Sequence, residues 1–232
     1  MLHLHVRKAD GSHSLAPADY RPAIDAVRRA VGQSLVLQLT TEAIGVYAPQ
    51  QQMAMVRELR PEAVSLALGE VLPDASAERE GAEFLAWAER ERIVAQHILY
   101  SAEDVRRYAL LRRRGVIPAG RHWVLFVLGR YAGGQRSSLA DLLPMHAAWQ
   151  AAGDGAQDVP WAICAFGARE MECALGAAAL GGHARVGFEN NVQLPDGRPA
   201  RDNAELVGTF AGVARQLGYS LATADELPSF FA

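Results

Sequence analysis

The sequence predicts an α/β protein of the TIM (β/α)8-barrel class, and two observations carry that prediction. Short β-rich runs alternate with longer amphipathic stretches from one end of the chain to the other, the pattern of a parallel sheet wrapped by helices. No GxGxxG turn follows the first run, which disfavours a dinucleotide-binding sheet and leaves the barrel as the better expectation. The strand runs are 2–7, 34–40, 63–68, 92–99, 122–128, 161–166 and 184–188. Helical patterns fall near 18–31, 49–59, 77–90, 102–114, 137–152, 168–179 and 202–217. Ser101 followed by Glu103 and Asp104 marks one helix start, and Arg112–Arg114 before Gly115 mark its end. Ser138 and Asp141 frame another start. Residues 1–232 are expected to form a single barrel domain.

Seven strand–helix pairs stand where a closed barrel has eight. The chain opens inside its first strand, so the expectation is a barrel lacking its first β/α unit. An in-frame upstream coding segment of roughly 40 residues would supply it.

Composition narrows the function classes. Half of the 232 residues are apolar and the formal charge is −3, so no polyanion-binding surface is indicated and nucleic acid is not expected as a partner. Lys8 is the only lysine, which leaves little room for Schiff-base chemistry. Cys164 and Cys173 lie in apolar surroundings with no metal-ligand spacing, and are expected as reduced buried thiols. No apolar run reaches membrane-spanning length and the start is no signal peptide, so a cytoplasmic protein without membrane contact is expected.

The first strand reads Leu2-His3-Leu4-His5-Val6-Arg7. Alternation puts His3, His5 and Arg7 on one face and the aliphatic residues on the other. Barrel interiors are normally packed with branched apolar side chains, so three inward basic residues are costly without a task. Two imidazoles at i and i+2 can converge on one ion, or can be hydrogen-bonded core histidines. The late run from His183 to Glu189 alternates similarly, with His183, Arg185 and Glu189 on one face. Glu189 stands at a strand's carboxyl end, where barrel active sites gather, and completes a two-histidine, one-carboxylate set. Zinc is the expected metal, with other divalent ions possible. Alternatively, Glu189 pairs with Arg185 or Arg7; the two roles are compatible, since arginines orient carboxylate ligands.

These two strands carry a resemblance. The run from Gly181 to Asn191, with Asn203-Ala204-Glu205-Leu206-Val207 after it, resembles the β-keto acid cleavage enzymes. So do His3-Leu4-His5-Val6-Arg7 with Asp10-Gly11-Ser12, Thr40-Thr41, Pro61-Glu62 leading to Ser65, and Glu89-Arg90-Glu91 before His97-Ile98. The resemblance spans essentially the whole chain. It implies a (β/α)8 barrel, usually homotetrameric, with zinc on His3, His5 and Glu189. It implies an acyltransferase that converts a β-keto acid and acetyl-CoA into acetoacetate and a new acyl-CoA. The metal would acidify the carbon between carboxylate and ketone; the enolate would attack the thioester, and a retro-Claisen step would release acetoacetate. By the same resemblance Arg185 stabilises negative charge, Thr40 and Ser65 contact substrate, and Glu91 is an acid near the site.

The pattern also departs from the family. Asn190 stands where an aspartate commonly follows the glutamate ligand, and an amide is no base. Asn190 nonetheless occupies a catalytic position by the resemblance. Glu42 and Ala43 replace the glycines that usually follow the threonine pair, and Ile93-Val94-Ala95-Gln96 replaces a run normally holding an aspartate and a glycine. Two alternatives stand beside the leading reading. One is a metal-dependent barrel hydrolase, with His97 and His122 as further ligands; the other is a non-catalytic metal-binding relative.

Overall fold

Strands form where branched and apolar residues dominate, and helices where the apolar residues recur at helical spacing. The computed structural model describes residues 1–130, 133–134, 136–153, 156 and 158–227. Its elements are β1 (Leu2–Leu4), α1 (Pro17–Val31), β2 (Leu37–Thr40), α2 (Pro49–Leu59), β3 (Ala63–Ala67), α3 (Leu68–Val71) and α4 (Glu78–Arg90). They continue with β4 (Val94–Leu99), α5 (Ala102–Arg113), β5 (His122–Leu128), α6 (Leu139–Ala151), β6 (Trp161–Ala165), α7 (Glu170–Ala179), β7 (His183–Ala184) and α8 (Asn203–Gln216). The expected α/β class holds, and α3 is the one described helix that the sequence pattern did not mark. Pro17 and Pro49 open their helices at the position where a missing N–H costs nothing. Ser138 and Asp141 form the expected capping box, with the Ser138 N–H donating to Asp141 Oδ2 at 2.7 Å. No helix among the described residues is long and apolar enough to cross a membrane.

The chain divides into two compact units, one of Met1–Ile98 with Leu111–Trp123 and the last residues, the other of Leu99–Leu110 with Val124–Ala222. In the first unit β1, β2, β3 and β4 pair in parallel and in chain order, with His3 opposite Gln38, Thr40 opposite Ser65 and Ser65 opposite Gln96. Register partners in a parallel sheet share a face, so His3, Gln38, Thr40, Ser65 and Gln96 all lie on one side. The other side carries Leu4, Leu39, Val64, Leu66, Ala95 and His97. On that side a recess between Leu85 and Ala88 of α4 and Ala95 and His97 of β4 shows the strands packed on helices. Complete burial of Leu39 and Leu66 there stabilises the unit by about 1.5–3 kcal/mol each.

In the second unit β5 pairs with β6 and β6 with β7, again parallel and in chain order. Gly182 lies against the Trp161 ring, and a Cβ on it would meet the ring at 2.5 Å; only glycine lets the chain enter β7 there.

Two expected strands are shorter than their alternation suggests. β1 stops at Leu4, and Arg7 forms an antiparallel bridge with His13, turning its exposed guanidinium to the Gly11 carbonyl at 3.1 Å instead of inward with the histidines. β7 ends at Ala184, because Gly187–Asn190 closes a turn in which the Asn190 N–H donates to the Gly187 carbonyl at 2.9 Å. The face shared by His183, Arg185 and Glu189 therefore does not persist. His183 and Phe188 are both exposed.

Candidate active site

The first unit contributes a histidine pair whose chemistry is set by its neighbours. His3 and His5 are half-buried, with their Nε2 atoms 2.9 Å apart. His3 Nδ1 lies 2.7 Å from Gln38 Oε1, an acceptor, so that nitrogen carries the hydrogen. His5 Nδ1 lies 3.5 Å from Glu42 Oε2, within ion-pair range. With a hydrogen on each Nδ1, each Nε2 would direct a lone pair at the other. Two lone pairs at this separation repel unless positive charge, a proton or a metal ion, lies between them. The donor set therefore fits a divalent metal with preference for imidazole nitrogen.

Gln38 and Glu42, to which sequence reasoning gave no part in the site, are the groups beside the two Nδ1 atoms. The signal for Gln38 was available, since a glutamine inside an otherwise apolar strand faces the same way as His3. Glu42 is placed by its loop. Its N–H donates to Thr40 Oγ1 at 3.1 Å, and Ile44 just beyond it adopts a left-handed backbone with φ 46°. A β-branched residue in that region costs about 1–2 kcal/mol. His13 is a further neighbour missed by the sequence reading. Its ring centroid lies 5.7 Å from that of His5, and burial, then the nearby His5, depress its pKa.

Thr40 and Ser65 lie on the same sheet face as His3. Thr40 Oγ1 accepts the Glu42 N–H, while Ser65 Oγ is buried with no partner within the protein. Glu91 is not brought to this face. It caps the end of α4, before β4 begins, and pairs with Arg60 at 2.9 Å, both partly exposed. Active-site groups of β/α proteins gather beyond the carboxyl ends of the strands, so Glu91 stands at the wrong end and the structure gives it no catalytic contact. His97 and His122 are also elsewhere. His97 lies on the face opposite His3, its ring 5.4 Å from that of His122, whose Nδ1–H donates to the Gly120 carbonyl. Burial holds both neutral, His122 down to about 4.

The second unit contributes Arg185, Glu189 and Asn190. The Arg185 N–H still donates to Ile163 at 2.8 Å, so its backbone continues the strand direction one residue past β7. Its guanidinium reaches Glu189 Oε1 and Cys164 Sγ, each at 3.3 Å. Burial works against its charge, but Cys164 and Glu189 outweigh that and raise its pKa above the ordinary value. Arg185 Nε and Nη1, and Asn190 Nδ2, are buried without partners within the protein. Orphaned donors of this kind cost about 1–3 kcal/mol each and mark places where a ligand is received. The two cysteines are free and buried, as expected.

The loop bearing Glu189 is clamped from two helix starts. Asn203, at the start of α8, accepts the Phe188 N–H at 2.7 Å, and Glu170, at the start of α7, accepts the Gly187 N–H at 3.1 Å. Burial raises the Glu170 pKa to about 7, against the opposing pull of its hydrogen bonds and Arg185. An acid whose folded pKa lies above its unfolded value favours folding most when protonated. Stability from Glu170 is therefore lost as pH rises from about 4.5 to 7, by about 3 kcal/mol in all. His122 acts oppositely, losing stability as pH falls from 6.5 towards 4. Glu170→Gln should isolate the first effect. Its denaturant midpoint should exceed that of the unaltered protein more at pH 8 than at pH 5; an equal gap at both would refute the assignment.

Set beside known proteins, the chain falls among carbon–carbon bond-cleaving enzymes. The beta-keto acid cleavage enzyme family model matches residues 1–231, and the chain belongs to that family. A 3-keto-5-aminohexanoate cleavage enzyme from Fusobacterium nucleatum is 29% identical, over 97% of this chain and 80% of that protein. The 3-oxoadipate:acetyl-CoA acetyltransferase of Cupriavidus necator is 26% identical, over 96% of this chain and 77% of that protein. A solved ternary complex of ObcA with a C4-CoA adduct and oxalate shares the fold, with a TM-score of 0.78 at 17% identity. The chain spans 62% of that structure's length and 99% of its own.

Proposed function

We propose that the protein is a divalent-metal-dependent acyltransferase, with zinc the expected ion, that exchanges acyl groups between a β-keto acid and acetyl-CoA. In the balanced reaction the acyl group of the keto acid moves to the CoA sulfur, and the acetyl group takes its place on the carboxymethyl carbon. The products are acetoacetate and a new acyl-CoA. The observation that carries this reading is the His3–His5 pair, with the two Nε2 atoms 2.9 Å apart and with Gln38 and Glu42 oxygens beside the Nδ1 atoms. The names of the two relatives, a keto acid cleavage enzyme and an acetyl-CoA acetyltransferase, support the chemistry.

His3, His5 and Glu189 would hold the ion. Bound there, it would supply Lewis acidity towards the keto acid's oxygens. Gln38 and Glu42 keep both imidazoles in the tautomer that presents Nε2. Arg185 directs buried N–H donors at negative charge developing on the substrate oxygen. Asn190 donates a hydrogen bond through Nδ2; as an amide it does not take the proton, so proton transfer falls to another group. Thr40 and Ser65 offer hydroxyls to the substrate. The same resemblance proposes a homotetramer working on small molecules in the cytoplasm.

Incubating the purified protein with acetyl-CoA and several β-keto acids tests the proposal. Acetoacetate and the new CoA ester should appear in equal amounts. Loss of keto acid without any need for acetyl-CoA would overturn it in favour of a hydrolase.

A further inference from the structure

Gln96 is a glutamine in the middle of a buried strand. It is fully enclosed, and both its Nε2 and its Oε1 lack a partner within the protein. Its register partner Ser65 has an orphaned hydroxyl, and Gln38, on the same face two strands away, commits Oε1 to His3 and leaves Nε2 without a partner. Three adjacent strands thus present unsatisfied polar groups on one face, beside the histidine pair. Val94 and Ile98 show that this face of β4 accepts apolar side chains, so packing alone does not call for an amide at 96. The groups share one property. An amide and a hydroxyl donate and accept hydrogen bonds but carry no charge, and no charged side chain occupies the paired positions of this face.

We propose that Gln96, with Ser65 beside it, forms an uncharged hydrogen-bonding subsite that selects β-keto acids whose acyl chain bears a neutral polar group such as a hydroxyl or an amide. This rests on the acyl-transfer reading above. A substrate ending in an ammonium finds no anionic partner at the subsite, and one ending in a carboxylate finds no cation. A purely aliphatic chain leaves the amide of Gln96 unpaired, and sites built to hydrogen-bond a substrate reject analogues lacking the group.

The test uses four β-keto acids of equal backbone length that carry a methyl, a hydroxyl, a carboxylate or an ammonium group at the same carbon. The full-length, metal-loaded protein should turn over the hydroxyl substrate with kcat/KM at least about tenfold above the other three. Gln96→Leu, close in volume and unable to hydrogen-bond, should erase that advantage while raising the methyl substrate relative to the rest. Gln96→Glu should move the preference towards the ammonium substrate. The proposal is overturned if the four substrates fall within about twofold of one another. It is equally overturned if a charged one leads, or if Gln96→Leu lowers all four by the same factor. A more stable Gln96→Leu variant with unchanged ranking would assign the amide to an ordered water, and would also overturn it. If no substrate turns over, the acyl-transfer reading fails separately, and calorimetric titration with the corresponding 3-hydroxy acids decides the subsite. The same ranking and its loss in Gln96→Leu support it; equal affinities in both proteins refute it.

Discussion

Replacing His5 by alanine should strip the protein of its divalent ion and lower acetoacetate formation by about a thousandfold or more. The size follows from what the ion contributes: several kcal/mol of charge stabilisation, at 1.36 kcal/mol per tenfold in rate. The direction follows from the geometry, because His3 Nε2 alone cannot replace a pair held 2.9 Å apart. Chelating the unaltered protein should give the same loss, reversed by adding zinc; His5→Ala should not recover. Glu42→Gln and Gln38→Leu should fall between, weakening metal affinity by about 10–100-fold, since each removes only the acceptor that fixes an imidazole's tautomer. Metal per chain, measured by elemental analysis beside the rate, checks all four, and thermal melting confirms that His5→Ala stays folded. If His5→Ala binds and reacts as the unaltered protein does, the 2.9 Å contact is an ordinary hydrogen bond sharing one proton.

Much of this architecture was legible from residue patterns, and what escaped did so for physical reasons. The order and kind of the strands followed from branched apolar runs, and the helix start at Ser138 and Asp141 from local chemistry. Alternation then overreached at both functional strands. It assumed that the backbone stays extended through Arg7 and Glu189, whereas tertiary contacts end both strands early. The bridge to His13 turns Arg7 away, and the clamps from Glu170 and Asn203 fold Phe188 and Glu189 into a turn. Glu91 was misjudged because a charge close in sequence to a strand says nothing about which end of it the charge occupies. Glu42 and Gln96 stood out only as departures from the family pattern and Gln38 not at all, because an amide or an acid in a strand or loop announces a role only when its partners, or its lack of them, are known.

Arg185→Met should lower kcat by about 10²–10³ while leaving the keto acid's KM within a few fold. That split is expected of a donor group whose strongest interaction is with charge that develops only during reaction. Arg185 is placed for it: one Nη2 is spent on Cys164 and Glu189, while Nε and Nη1 are buried and without partners in the protein. Methionine preserves the length and apolar packing of the stem without the charge. Arg185→Lys should recover little, since an ammonium cannot hold Glu189 and Cys164 and still present two further donors in one plane. Metal content separates two origins of the loss. If it is unchanged in Arg185→Met, the guanidinium acts on the substrate; if metal is lost in step with the rate, Arg185 works by orienting Glu189. A rise in KM with kcat preserved would show that Arg185 only binds the ground state, and would remove it from the chemistry.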